Sequence, residues 1–145
     1  MIAPADIGMP PSGPLHDMGE EAMIDHVSIR VRSIQRARAF YDRVLVPLGL
    51  TCTVRDAPEY AGYGLDGRDP FLWLTLHDGS SGHIQLAFAA PSRTAVEDFH
   101  VAALAAGGRE RASPGMQTEG GLPYFAASVL DPDRHEISAV CRIGP

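Results

Sequence analysis

The stretch GHIQLAF, residues 82–88, places His83, Gln85 and Ala87 on one side of an alternating segment and Ile84, Leu86 and Phe88 on the other. An imidazole donates, accepts or binds a metal, and a carboxamide both donates and accepts. Two such groups on the side opposite the apolar set pose a question of chemistry. A second alternating segment, IDHVSIRV at 24–31, sets Ile24, His26, Ser28 and Arg30 against Val27, Ile29 and Val31. His26 therefore also stands on the polar face of a strand, where it either serves a ligand or is simply solvated.

The elements that carry these residues recur. After the first strand, Ser33 is placed to cap a helix whose apolar positions Ile34, Ala37, Phe40, Tyr41, Val44, Leu45 and Leu48 keep three-and-four spacing until Gly49. Pro47 must fall near its end, because proline cannot donate to the helical ladder. Strands are expected in 50–56, 59–65 and 71–78, between turns rich in Pro, Gly and Asp. After HIQLAFAA, Ser92 opens a second helix with Val96, Phe99, Ala103 and Leu104 inward, closed by Gly107 and Gly108. Phe40 to Phe99, Leu45 to Leu104 and Gly49 to Gly108 share one offset of 59 positions, which marks two tandem copies of one unit. A Gly-rich segment, 113–123, then leads to strands in 124–131 and 135–142, joined by the Asp131-Pro132-Asp133 turn. The expected fold is α+β, with a helix covering one face of each curved sheet. By the same offset Gln85 is the internal counterpart of His26, so both lie on faces turned away from their own helix.

Composition narrows the function. A chain of 145 residues, 45% hydrophobic, fills one core and is too short for two independent enzymatic domains. A formal charge of -6 without a basic run leaves no footprint for nucleic acid. Cys52 and Cys141 lack the spacing of a disulfide framework or a thiolate zinc site. No apolar run approaches the roughly 20 residues of a membrane-spanning helix, so a soluble, cytoplasmic protein without a membrane partner is expected. Residues 1–22, with four prolines and with His16 among them, read as a flexible leader.

DHVSIRV followed by RAFYDRVLVPLGL, then QLAFAAPSRTAVEDFHVAALAAGG and YFAASVLDPDRHEISAV, resembles the vicinal oxygen chelate superfamily of glyoxalases, bleomycin-resistance proteins and extradiol dioxygenases. The resemblance covers residues 23–142 and is closest to the small glyoxalase-like branch. It implies paired βαβββ modules, here 23–80 and 81–145, forming a U-shaped cleft in one structural domain, and it implies a homodimer. In active members it further implies a divalent metal (Zn, Ni, Mn or Fe) held by one His from each module's first strand and a Glu from the last strand. His26 matches the first ligand, whereas Gln85 and Ser138 stand where the second His and the Glu would be. His83 and Glu136 lie two residues earlier on the same strand faces. Two residues along a strand span about 6.6 Å, against metal bonds of about 2.0–2.2 Å, so the family's sphere could not be reused without displacement.

Two functions remain open at this point. In one, a displaced metal site built from His26, His83 or Gln85, and Glu136 supports lyase, isomerase or dioxygenase-type chemistry on a small oxygenated substrate, with Glu136 as metal ligand or proton carrier. In the other, a metal-free cleft sequesters a small molecule, as bleomycin-resistance proteins do, with His26, Gln85 and Ser138 supplying hydrogen bonds. Trp73, Tyr60, Tyr63 and Tyr124 are the aromatic candidates for its walls and rim. Glycines 115, 120 and 121 would make the loop before Tyr124 mobile. His77, His100 and His135 read as turn or packing residues.

Overall fold

The computed structural model describes residues 24–77, 79, 82–118 and 122–142. The leader at 1–22 with His16, and Gly120 and Gly121, lie outside the described residues. The elements are β1 (Val27–Val31), α1 (Ile34–Val44), a 3-10 turn (Val46–Leu48), β2 (Leu50–Val54), β3 (Tyr60–Leu65), β4 (Leu72–Leu76), β5 (Gln85–Ala89), α2 (Arg93–Ala105), β6 (Arg109–Gln117), β7 (Tyr124–Leu130) and β8 (Glu136–Cys141). They form two four-stranded mixed sheets, ordered β1-β4-β3-β2 and β5-β8-β7-β6, each with its first strand parallel to its last. This is the α+β arrangement of two βαβββ modules.

The repeat reaches the caps. Ser33 Oγ accepts from the Arg36 amide at 3.1 Å, and Ser92 Oγ accepts from the Ala95 amide at 3.0 Å. All seven apolar positions expected inward from α1 onward are buried, from Ile34 to Leu48. The 3-10 turn takes up Pro47, whose missing N–H costs a tight turn nothing. In α2, Val96, Phe99 and Ala103 are buried but Leu104 is 40% exposed, a correction to the expected inward set. Its neighbour in sequence already faces the sheet, and one residue further turns a side chain by roughly 100° about the axis. The closing glycine also slips by one position, since Gly49 and Gly107 hold the left-handed conformation (φ 85 and 94).

Two compact units result. Among the described residues, one comprises the stretch ending at Arg38 together with that beginning at Gly49, and the other comprises Ala39–Leu48 together with the chain from Gly82 onward.

In the first unit, register divides the sheet into two faces. Val27, Ile29, Ala61, Tyr63, Leu72 and Leu74 share one; Ser28, Arg30, Tyr60, Gly62, Trp73 and Thr75 share the other. The second face is covered locally by the loop before β4. A methyl group at Gly62 would meet Pro70 at 3.0 Å and Trp73 Cζ3 at 3.1 Å, and one at Gly64 would meet the Arg68 carbonyl at 2.5 Å. Only glycine admits this close approach.

In the second unit, α2 packs on β6, β7 and β8. Tyr41, from α1, donates to Asp131 Oδ2 at 2.5 Å. Asp131 Oδ1 accepts the amides of Asp133 and His135, both at 2.8 Å, and the Asp131 amide donates to the His135 carbonyl at 2.9 Å. The Asp-Pro-Asp-Arg-His turn is thus organised around one buried carboxylate. His135 Nδ1 accepts from the Ile84 amide at 3.2 Å, which ties the turn to the start of β5.

The first part of the segment expected as a Gly-rich loop, residues 113–117, is instead strand. β6 runs through Ser113-Pro114-Gly115 with register breaks between Glu110 and Ala112 and between Ala112 and Gly115. It lies at the sheet edge, where proline and bulges are tolerated because one side of the ladder has no partner to satisfy.

Candidate functional site

The second sheet carries a hollow on the face away from α2, with a volume of about 490 Å³. Parallel pairing sets Gln85 beside Glu136 and Ala87 beside Ser138, and antiparallel pairing sets Ser138 beside Ser128. Alternation then places Gln85 and Ala87 of β5, and Glu136, Ser138 and Val140 of β8, in the hollow. Tyr124, Ala126 and Ser128 of β7 continue it, with Arg142 just beyond β8. From β6 come Ala112 and Gln117. One position number is even and the other odd, because the register shift between Ala112 and Gly115 changes the strand's phase.

The floor is made of small side chains, which is why there is space, and the polar heads stand around it. Glu136 accepts a partly exposed ion pair from Arg111, Nε to Oε1, at 3.4 Å. The Ser128 and Ser138 hydroxyls share a hydrogen bond of 2.6 Å. Two hydroxyls carry two protons and the shared bond uses one, so one O–H is left to donate into the hollow. The Arg142 guanidinium lies over the Tyr124 ring, 4.7 Å from its centre, a cation–π contact that holds the cation at the wall.

Gln85, Glu136, Ser138 and Tyr124 are thus brought to one place. Of the other expected positions, His83 belongs to this unit and His26, Tyr60, Tyr63 and Trp73 to the first. His83 is exposed, with its ring 6.0 Å from that of His135, and does not line the hollow. His26 belongs to the first unit, where Nδ1 meets Asp25 Oδ1 at 2.8 Å. Tyr60 and Trp73 share the His26 side of the first sheet and pack edge-to-face at 5.7 Å. They are 5% and 0% exposed, so Tyr60 fills space where a rim residue was expected. Tyr63 is corrected twice over, being fully buried and, three residues from Tyr60, on the opposite face. Trp73 Nε1 and Ser28 Oγ, side chains of register partners, are buried without a hydrogen-bond partner.

The sequence alone does not single out Gln117, Ser128, Arg111 or Arg142 for this place. The Ser128 signal was available, since it alternates with Tyr124 and Ala126. Gln117 was hidden by the bulges.

The donor set does not fit the metal centre that the resemblance implies. Among the described residues no three His, Cys, Asp or Glu side chains are grouped to hold a metal ion. The two positions that differ from the family's ligands supply an amide and a hydroxyl, both poorer donors than imidazole and carboxylate.

A family model described as the glyoxalase/bleomycin resistance protein/dioxygenase superfamily matches residues 23–139. Among solved structures, the chain is similar to a glyoxalase/bleomycin resistance protein from Albidiferax ferrireducens at 26% identity and TM-score 0.72, covering 83% of this chain and 100% of that one. A glyoxalase/bleomycin resistance protein/dioxygenase family enzyme from Burkholderia phytofirmans matches at 22% identity and TM-score 0.66, over 84% and 100% of the two chains. A lactoylglutathione lyase from Agrobacterium tumefaciens matches at 13% identity and TM-score 0.61, over 85% and 96%. The last two establish a common fold alone. No curated protein matches the chain.

Proposed function

Because the chain belongs to the glyoxalase/bleomycin resistance protein/dioxygenase superfamily, we propose that it is a small-molecule-binding member whose ligand seats in the hollow of the second sheet by hydrogen bonding and shape, without a metal among its contacts. The observation that carries this reading is the lining itself. Gln85, Ser138 and Tyr124 meet over a floor of small side chains, and the one carboxylate among them, Glu136, is already engaged by Arg111. An amide, a spare hydroxyl proton and an aromatic wall recognise a small, partly polar organic molecule. They include no imidazole, and an amide and a hydroxyl are poor donors to a Lewis-acid metal. Sequestration of the bleomycin-resistance kind is the function this lining serves.

The alternative is a metal-dependent lyase, isomerase or dioxygenase-type enzyme with Glu136 as metal ligand or proton carrier. It would need Glu136 to leave Arg111 and two further strong donors to approach it.

Thermal denaturation of chelator-treated protein separates the two. Phenol, catechol or benzamide at millimolar concentration is expected to raise the melting temperature by mass action on the folded state. Ala87→Leu, which fills the hollow from an exposed strand position, is expected to abolish that rise. A rise that appears only after stoichiometric zinc, nickel, manganese or iron is added would favour the enzyme.

A further inference from the structure

The charges around the hollow are unequal, and the imbalance says what kind of molecule it takes. Glu136 is the carboxylate that lines it, and Arg111 lies against that carboxylate at 3.4 Å. Arg142 supplies a second guanidinium to the wall, and no carboxylate among the described residues is paired with it. Its contact is the face of Tyr124 at 4.7 Å. A cation over a ring face is held there by the ring's electron density, which takes up none of the guanidinium's hydrogen-bond donors. One local cation is therefore left over in a chain whose formal net charge is -6. Ions beyond about 8 Å are largely screened at physiological salt, so an incoming anion responds to this nearby guanidinium more than to the distant acidic surface.

The neighbours of Arg142 extend the argument. Gln117 is the register partner of Tyr124 and lines the same hollow, so an amide N–H₂ is available beside the stacked pair. The Ser128 and Ser138 pair has its spare O–H, another donor. The Gln85 and Gln117 amides and the serine pair are neutral and both donate and accept, and Glu136 is ion-paired by Arg111, so the uncompensated charge at the wall is that of Arg142. Ala87, Ala112, Ala126 and Val140 offer only hydrocarbon, on which a ring or short chain can lie.

Resting on the reading that this hollow is a ligand site, we infer that its ligand is a small organic carboxylate, with the carboxylate on the Arg142 fork and the hydrocarbon body over the alanine floor against Tyr124. The Arg111 pair keeps Glu136 from repelling it.

Titration calorimetry on the chelator-treated full chain, comparing benzoate with its uncharged near-isostere benzamide, tests this. Benzoate is expected to bind at least tenfold more tightly than benzamide at low salt, and the preference is expected to shrink as salt is raised. Arg142→Gln should remove the preference, so that this variant binds benzoate no more tightly than it binds benzamide. Arg142→Lys, which keeps the charge but loses the fork, should retain only part of the preference. Equal binding of the two probes by the unaltered protein, or a benzoate preference undiminished in Arg142→Gln, overturns the carboxylate inference while leaving the hollow as a ligand site. Binding of neither probe to the metal-free protein overturns the inference and removes support from the reading beneath it as well.

Discussion

Asp131 illustrates how a single side chain organises this protein. Burial raises its pKa above the ordinary 3.8, and the effect of burial outweighs the Tyr41 hydroxyl, the His135 and Asp133 amides and the nearby His135 ring, all of which act to lower it. A carboxyl whose folded pKa is raised holds its proton more tightly in the native state than in the unfolded chain. Its contribution to stability therefore falls as pH climbs from 3.8 through the folded value, and the full penalty is present above that value. The carboxamide introduced by Asp131→Asn does not titrate. The stability of Asp131→Asn minus that of the unaltered protein is accordingly expected to rise over this window and then level off, measured by urea unfolding at a series of pH values; a flat or falling difference contradicts the assignment. Tyr41→Phe removes one of the groups that favour the charged form, and at neutral pH is expected to cost about 1–3 kcal/mol by leaving a buried acceptor unsatisfied. Ser28→Ala has the opposite expectation. Its buried hydroxyl has no partner, so the same unfolding measurement should show stability unchanged or raised by up to about 1 kcal/mol.

At the scale of elements, the helices and most strands are legible in the sequence because periodicity and caps agree. Ser33 and Ser92, the apolar run from Ile34 to Leu48 and the offset that pairs Phe40 with Phe99 all point to the same units. What escapes the sequence has identifiable physical causes. β6 reads as loop because Pro114 and Gly115 mark turns in most contexts, and only its edge position, a tertiary fact, makes them acceptable in a strand. The bulges then break the two-residue period that would have announced Gln117. Tyr60 and Tyr63 were both expected at a rim, although their spacing of three separates them to opposite faces of a strand. In the candidate site, alternation finds Gln85, Glu136 and Ser138, because β5 and β8 are regular, and Arg142 continues the β8 period one step past Val140; Arg111 enters through cross-strand geometry that no spacing reveals. Two substitutions probe element junctions. A methyl group at Gly108 would lie 2.7 Å from Phe40 Cε1 and 2.9 Å from the Ala103 carbonyl, so Gly108→Ala is expected to lower stability by about 1–3 kcal/mol through overpacking. Arg134 holds φ of 70 in the turn before β8, where a side chain is strained, so Arg134→Gly is expected to leave the melting temperature unchanged or raise it by the equivalent of up to about 1 kcal/mol.

At the scale of the whole molecule, the two copies of the unit differ in how the corresponding sheet face is filled. In the first sheet, the face bearing Ser28 and Trp73 is covered by Pro70 and the loop around it, with Trp73 fully buried. In the second sheet, the corresponding face is lined by alanines and serines and stays open as the hollow. One copy of the repeat has filled its polar face with aromatic bulk, and the other leaves a hollow edged by polar heads, where the proposed ligand would sit. Among the described residues no helix is long and apolar enough to cross a membrane.

The central claim is that this second-sheet hollow binds an organic ligand directly through its own side chains. Amide chemical-shift mapping of the chelator-treated, isotope-labelled protein during a benzoate titration tests it most directly. The account predicts saturable shifts clustered at Gln85, Gln117, Tyr124, Ser128, Ser138 and Arg142, unchanged by a subsequent addition of zinc. Shifts clustered outside those strands, or shifts at the hollow that arise only once a divalent metal is present, would contradict it.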